Sequence, residues 1–213
     1  MFTFTRNELR DLVIAFIVIT IAFAISFVGL DAYGFLSILP IIMFGVGVGF
    51  LLHELGHKYV SMKYGYDAEF KMWPLGLVIA LASAFIGFVF AAPGVSKISA
   101  DNIPDETYGK ISIAGPMANM VLALLFIVIA ALVYPFSLHS GFFNLIFLTG
   151  AVGFSVNSFL ATFNLLPFYT LDGTKVMKWS AKIWIVIFAI AAIMMLSSIF
   201  IGAEEMVTLL IGA

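Results

Sequence analysis

The sequence predicts an all-α polytopic membrane protein, with about five transmembrane helices plus a membrane-associated β-strand and re-entrant hairpin. Of its 213 residues, 63% are apolar and only 10% are charged, whereas ordinary soluble domains are about 45–50% apolar and about 25% charged. Several long stretches carry almost no charge, which is typical of membrane spans. The polar N-terminus leads directly into one such span, so no cleavable signal peptide is expected.

Five apolar stretches are expected to cross the membrane, and they comprise residues 12–30, 35–61, 111–134, 142–166 and 183–200. Between the second and the third, residues 67–73 alternate apolar with charged side chains, and this period of two predicts a short strand. Residues 95–110 are predicted to form a polar loop, and residues 135–140 a turn. Residues 1–213 are expected to form one membrane-embedded domain, without a PDZ or other soluble regulatory domain.

The second span ends in an ionisable motif, HELGH at residues 53–57, where charged and polar side chains are costly in hydrocarbon. On a helix His53 and His57 lie on one face, one turn apart, so that both can reach one metal ion. Glu54 adjoins that face and can take a proton from water without being a ligand, which is the arrangement of zinc hydrolases. A chance HExxH costs nothing on a soluble surface helix, but in a membrane span it is expensive. The motif therefore predicts a zinc ion.

The third metal ligand is expected to be a carboxylate, because catalytic zinc usually has three protein ligands and the chain has no cysteine. Asp172 is the candidate, since Pro167 ends the preceding span and Gly173 permits a tight turn behind the carboxylate. The same residues fit a helix N-cap equally well, so both interpretations stay open on local grounds. The remaining histidine, His139, is interpreted as a loop residue at the membrane interface.

The apolar stretch 75–92 is long enough to span a membrane, but we expect it to enter the membrane and return to the same side. If the stretch crosses, the C-terminal ends of the second and fourth spans, which carry the candidate ligands, lie on opposite sides of the membrane. If it returns, they lie on the same side. The hairpin also places all ten basic residues on that side, which the positive-inside rule makes cytoplasmic. We therefore expect a multi-pass protein of the cell membrane, with the N-terminus and the active-site side in the cytoplasm.

Smaller signals concern helix packing and a polar residue in the third span. Gly45 and Gly49 form a G-x-x-x-G pattern that permits close contact between helices. Gly115 and Pro116 are expected to start or kink the third span, and Asn119 is assigned a hydrogen bond to a loop near the metal site.

Three motifs together resemble the site-2 protease family of intramembrane zinc metalloproteases: HELGH at 53–57, IAGPMAN at 113–119 and NLLPFYTLDG at 164–173. The resemblance covers about residues 36–180. It implies that one Zn²⁺ ion is bound by His53, His57 and Asp172, and that Glu54 activates water. Thr174 stands where many members have a second glycine.

The resemblance also implies how substrate is held. Asn164 would help to hold the substrate backbone, and the strand at 67–73, with Phe70 at its centre, would pair with an extended substrate. A transmembrane helix has its peptide bonds satisfied internally, so it must unwind before a carbonyl can reach the metal.

The function implied is that of a zinc-dependent intramembrane endopeptidase, which hydrolyses peptide bonds in or near transmembrane segments of membrane-protein substrates. Its expected partners are a transmembrane protein substrate and the lipid bilayer, and the net charge of −2 gives no sign of a nucleic-acid partner. One alternative is another membrane zinc hydrolase, of the prenyl-protein protease type, whose third ligand is typically a glutamate in a later helix. Another is a non-enzymatic metal-binding membrane protein, which has no need of Glu54.

Overall fold

A computed structural model describes residues 3–100 and 102–212, which form helices and one two-stranded sheet. In chain order the elements are α1 (Arg6–Val28), α2 (Ala32–Ile42), a π-helical segment (Met43–Gly47), α3 (Val48–Lys63), β1 (Ala68–Met72), α4 (Pro74–Ala84), β2 (Gly94–Ile98), α5 (Asp105–Ser137), α6 (Gly141–Asn164), α7 (Asp172–Trp179), α8 (Ala181–Phe200) and α9 (Ala203–Ile211).

Five helical stretches among the described residues are long and apolar enough to cross a membrane. They are Arg6–Val28, Ala32–Lys63, Asp105–Ser137, Gly141–Asn164 and Ala181–Phe200. Each contains most of one predicted span, and the strand predicted at 67–73 forms β1. The predicted fold class is therefore confirmed.

Two boundary predictions are wrong. The turn predicted at 135–140 lies partly inside α5, because Pro135 is tolerated near the end of that helix. The loop predicted at 95–110 contains most of β2 and the first turn of α5. The β2 sequence carries little strand signal of its own, and its strand geometry depends on antiparallel pairing with β1, in which Ser96 lies opposite Phe70.

The apolar stretch 75–92 leaves the sheet and returns to it, while its entry into the membrane stays a prediction. It consists of α4, a turn at Gly87 with a positive φ of 77°, and an extended return segment. The Ser83 hydroxyl accepts a hydrogen bond from the Phe90 amide at 2.9 Å and so closes the turn. The Trp73 amide donates to the Pro93 carbonyl at 2.7 Å, so the two ends of the excursion lie side by side.

The edge of β1 that faces away from β2 is occupied by side chains of α1. The Phe70 amide donates to the Glu8 carboxylate at 3.3 Å, and the Met72 amide donates to the Asp11 carboxylate at 3.2 Å. Glu8 also forms a buried ion pair with Lys58 of α3 at 2.5 Å. These contacts fix the sheet against α1 and α3. Among the described residues no further strand pairs with the outer edge of β2.

Candidate metal centre

The two histidines of the HELGH motif and Asp172 converge at one point between α3 and α7. The Nε2 atoms of His53 and His57 are 3.0 Å apart. An Asp172 carboxylate oxygen lies 3.3 Å from the first and 3.1 Å from the second. Among the residues that the structure describes, these three side chains form the one group of histidine and carboxylate ligands able to hold a metal ion.

The hydrogen bonds of the imidazole rings decide which ring nitrogens face the centre. His57 Nδ1 lies 2.9 Å from the Ile111 carbonyl, which can only accept, so Nδ1 carries the proton. His53 Nδ1 lies 2.6 Å from the side-chain oxygen of Asn119. In the neutral imidazole, which is the form that binds a metal, both rings therefore direct the lone pair of Nε2 toward the Asp172 carboxylate.

With both imidazoles neutral, the three acceptors have no hydrogen between them and repel one another unless a cation lies among them. Zinc binds imidazole nitrogen at about 2.0–2.1 Å in tetrahedral geometry, which separates neighbouring ligand atoms by about 3.3 Å. The three separations of 3.0, 3.1 and 3.3 Å are close to that spacing. The donor set and its geometry therefore fit one zinc ion.

Gly115 of α5 provides the space in front of these ligands. A Cβ atom at this position would lie 2.4 Å from Nε2 of His57 and 2.6 Å from Nε2 of His53. Any side chain would thus enter the volume in which an ion bound by these two histidines would lie. Sequence reasoning missed this role, because Gly115 followed by Pro116 also fits a helix start or kink.

Asp172 is the first residue of α7, and the N-cap of that helix is Leu171. The N-cap interpretation of Asp172 therefore does not hold. Burial by itself raises the pKa of the Asp172 carboxyl, but His57, His53 and Lys175 outweigh burial and hold that pKa well below its usual range. Gly173 is required behind it, because a Cβ there would lie 2.0 Å from the Leu165 carbonyl oxygen.

Glu54 lies beside the ligand group without belonging to it. Its carboxylate accepts a hydrogen bond at 2.8 Å from the hydroxyl of Ser96, which is on β2. The carboxylate is therefore held toward the sheet. Sequence reasoning did not single out Ser96, since the partner of Glu54 depends on how β2 packs against α3.

A cavity of about 550 Å³ adjoins the metal group. Its wall includes the three candidate ligands, Glu54, the whole of β2 and Asn164. Asn164 donates from its side-chain amide to the Leu160 carbonyl at 3.0 Å.

Phe70 and His139 lie apart from this cavity. Phe70 is not in the cavity wall, because its buried ring packs against Phe50 at 5.6 Å between ring centroids. A direct contact between the Phe70 side chain and substrate does not fit this position. His139 is exposed in the turn between α5 and α6, where the sequence places it.

Asn119 has a different partner from the one that the sequence suggested. It does not bind a loop. Its side-chain oxygen lies against His53 Nδ1, and its side-chain nitrogen donates to the Gly49 carbonyl at 3.1 Å and to Asn157 at 2.9 Å. A buried side-chain amide in a membrane span needs partners, but the sequence alone does not identify them.

Curated relatives of the chain are named as zinc metalloproteases. The protein MJ0611 of Methanocaldococcus jannaschii, provisionally so named, is 37% identical over 188 residues, which cover 88% of this chain and 92% of that protein. YwhC of Bacillus subtilis, also provisionally so named, is 28% identical over 156 residues, covering 67% of this chain and 70% of that protein. The zinc metalloprotease MJ0392 of Methanocaldococcus jannaschii is 27% identical over 162 residues, covering 74% and 39% respectively. No family model and no solved structure matches the chain.

Replacing any candidate ligand is expected to lower zinc content. His53→Ala, His57→Ala and Asp172→Ala each leave two ligands, and we expect zinc affinity to fall by at least about tenfold, because even changes around the ligands cost that much. Asp105→Asn is the matched control, since Asp105 lines the same cavity but pairs with Lys178 at 2.9 Å. Zinc content of purified protein, with thermal unfolding as the test of folding, is the measurement. Full zinc content in folded Asp172→Ala would remove Asp172 from the site.

Proposed function

The chain belongs to the family of zinc metalloproteases that these relatives represent, and from this premise we propose that it is a zinc-dependent intramembrane endopeptidase of the site-2 protease type. It would hydrolyse peptide bonds in or near transmembrane segments of membrane-protein substrates. The observation that carries the proposal is the convergence of His53, His57 and Asp172 inside a bundle of membrane-length helices, with Glu54 beside them.

Catalysis would divide between the metal and Glu54. A zinc ion held by His53, His57 and Asp172 would polarise the scissile carbonyl and lower the pKa of water. Glu54 lies in the wall of the same cavity and is free of the ligand group, so it can accept a proton from the attacking water and pass it to the leaving amine. The Ser96 hydroxyl would orient the Glu54 carboxylate for this transfer.

An unwound substrate segment needs partners for its freed peptide groups, and the open edge of β2 can supply them. In an antiparallel pair, alternate residues direct their backbone groups to the partner strand and away from it. The Trp73–Pro93 and Asp67–Ser99 backbone bonds and the register of the sheet identify the pairs that face inward. Gly94, Ser96 and Ile98 therefore direct their amide groups outward, and all three line the cavity.

The strand addition expected at 67–73 is accordingly proposed for β2 instead of β1. Glu8 and Asp11 occupy two of the outer amides of β1, those of Phe70 and Met72, whereas the described part of the sheet contains no third strand beside β2. Asn164 lies in the cavity wall and uses its amide nitrogen on Leu160, so we propose that its side-chain oxygen contacts the substrate backbone.

The site is proposed to face the cytoplasm. The start of α1 contacts the sheet through Thr5 and Glu69, and the start of α5 pairs with α7 through Asp105 and Lys178. The start of α1, the sheet and α7 thus lie at one end of the bundle. The basic residues belong to the segments at this end of the bundle. The positive-inside rule therefore favours this end as the cytoplasmic one.

The prenyl-protein protease alternative requires a glutamate as third ligand, and the structure does not favour it. The glutamates that follow Glu106 are Glu204 and Glu205 at the start of α9, and Glu204 accepts a hydrogen bond from Tyr134 at 3.2 Å. Neither belongs to the ligand group. A metal carrier would have no use for a carboxylate held beside the ligands, and the Glu54 variant below tests that alternative.

Glu54→Gln is expected to keep zinc and to lose cleavage by a factor of about 10²–10⁴, the usual contribution of a general base. The test compares membrane-protein fragments by quantitative proteomics in cells that express the wild type or the variant, with zinc content of each purified protein alongside. Glu106→Gln is the control, since Glu106 is an exposed carboxylate that pairs with Lys110. Equal fragment release by wild type and Glu54→Gln would refute the role of Glu54.

Ser96→Pro is expected to weaken substrate binding with little effect on zinc. It removes an outward amide of β2 and no hydrogen bond between β1 and β2. Ser96→Ala removes only the hydroxyl that holds Glu54, so the two variants separate orientation of the base from strand addition. With a substrate identified as above, Ser96→Pro should raise KM beyond the value for Ser96→Ala. Equal KM values for the two folded variants would contradict strand addition at β2.

Single cysteines can test the orientation, because the chain has none of its own. Ser99→Cys, just after β2, is expected to react with an impermeant thiol reagent only from the cytoplasmic side. Leu138→Cys, in the exposed turn after α5, is expected to react only from outside. Labelling of Ser99→Cys from outside alone would overturn the proposed topology.

A further inference from the structure

We propose that Asn157 is a positioning residue of the metal centre, which acts through Asn119 to fix the tautomer and orientation of His53. The inference rests on the proposed metal centre and concerns a residue of α6 that contacts no candidate ligand and does not itself line the cavity. Asn119 and Asn157 are both 0% exposed. Every polar atom of their side chains takes part in one continuous chain of hydrogen bonds.

The first link joins His53 to Asn119. The Nδ1 atom of His53 and the side-chain oxygen of Asn119 are 2.6 Å apart. If that Asn119 atom is oxygen, His53 must carry its proton on Nδ1, and Nε2 is free to bind a metal. If the amide were turned over, its nitrogen would donate to Nδ1, and the proton of His53 would be forced onto Nε2, where it blocks binding.

Backbone carbonyls decide the orientation of Asn119. Its side-chain nitrogen lies 3.1 Å from the Gly49 carbonyl, which can only accept. The same nitrogen lies 2.9 Å from the side-chain oxygen of Asn157. Both N–H groups of Asn119 are thus used, and turning the amide over would set its oxygen against two other acceptors.

The orientation of Asn157 is fixed in the same way. Its side-chain nitrogen donates to the Gly45 carbonyl at 2.7 Å and to the Gly153 carbonyl at 2.8 Å. Only its oxygen remains to face Asn119. Two backbone carbonyls therefore fix the orientation of the Asn157 amide. That amide and a third carbonyl fix the orientation of the Asn119 amide, which in turn determines which nitrogen of His53 carries the proton.

The glycines of the second span fit this chain. A Cβ at Gly49 would lie 2.2 Å from the Asn157 oxygen, so Gly49 makes room for the second asparagine. Gly45 belongs to the π-helical segment and approaches Gly153 of α6. A Cβ atom on Gly45 would lie 3.2 Å from the Gly153 Cα. The G-x-x-x-G pattern thus permits helix contact, as expected, and also admits a polar chain between the helices.

A purely structural role for Asn157, as a polar contact between helices, makes a different prediction from a positioning role. The loss of such a contact would lower stability without changing the tautomer of His53. The positioning role requires that the tautomer and the metal affinity change in protein that is still folded.

The experiment uses zinc-free protein with ¹⁵N-labelled histidine, and ¹⁵N NMR of the imidazole nitrogens reports the tautomer directly. The His139→Gln background leaves only His53 and His57 to assign. In this background His53 is expected as the Nδ1–H tautomer, and finding it as the Nε2–H tautomer would overturn the proposal without any further variant. Zinc affinity is measured on the same proteins by competition with a chelator.

Asn157→Leu is expected to convert His53 to a mixture of tautomers and to lower zinc affinity about 10–100-fold, as for other residues that orient metal ligands. Ser155→Ala is the matched control, because it removes an α6 side chain that bonds to Ser198 of α8 at 2.5 Å. Ser155→Ala should leave the tautomer of His53 and the zinc affinity unchanged. Asn119→Asp keeps the acceptor for His53 and should preserve the Nδ1–H tautomer.

A folded Asn157→Leu protein with wild-type histidine signals and wild-type zinc affinity would overturn the proposal. If that variant does not fold, the smaller substitution Asn157→Ala decides by the same two measurements. None of these readouts uses cleavage, so a failure of the proposed protease function, seen with Glu54→Gln, remains distinguishable from a failure of this inference.

Discussion

The architecture depends on burying three hydrogen-bond acceptors at one point inside an apolar bundle. The two Nε2 atoms and the Asp172 oxygen lie within 3.3 Å of one another, which is too close for a water molecule to lie between any two of them. Such a group is tolerable only with a shared cation and with each ligand held from behind. Ile111 and Asn119 of α5 hold the histidines, Lys175 lies near Asp172, and Gly115 keeps the centre clear. The contacts of α5 with α3 and α7 therefore follow from the requirements of the centre.

The small sheet shows a second constraint, which is the management of strand edges. An unpaired edge exposes backbone groups that would recruit any extended segment. In this protein α1 closes one edge with the carboxylates of Glu8 and Asp11, and Lys58, directly after the HELGH motif, balances the charge of Glu8. The other edge lines the cavity that contains the metal group. A sheet with one edge closed can receive a peptide in only one place.

Local patterns in the sequence predicted the features that depend on neighbouring residues alone. The spacing of His53 and His57 fixes their common helix face, the alternation at 67–73 fixes β1, and apolar length fixes the five long helices. Residues whose role depends on packing between distant segments could not be found in this way. Gly115 matters because α5 crosses α3 at the histidines, Ser96 because β2 lies beside Glu54, and Asn157 because α6 faces the π-helical segment. The strand β2 was missed for the same reason, since its partner defines it.

The position of Ser96 connects the two halves of the proposed reaction. Its hydroxyl holds the Glu54 carboxylate, while its backbone amide lies on the edge proposed to receive the substrate. In the proposed reaction, one residue of one strand would therefore set the position of the base and, through backbone pairing, the position of the peptide bond. Because β2 is fixed to β1, and β1 to α1 and α3, the distance between base and peptide depends on a rigid connection back to the helix that carries His53 and His57. A separate flexible loop could offer the same hydrogen-bonding groups, but it would not hold the base and the peptide bond in register.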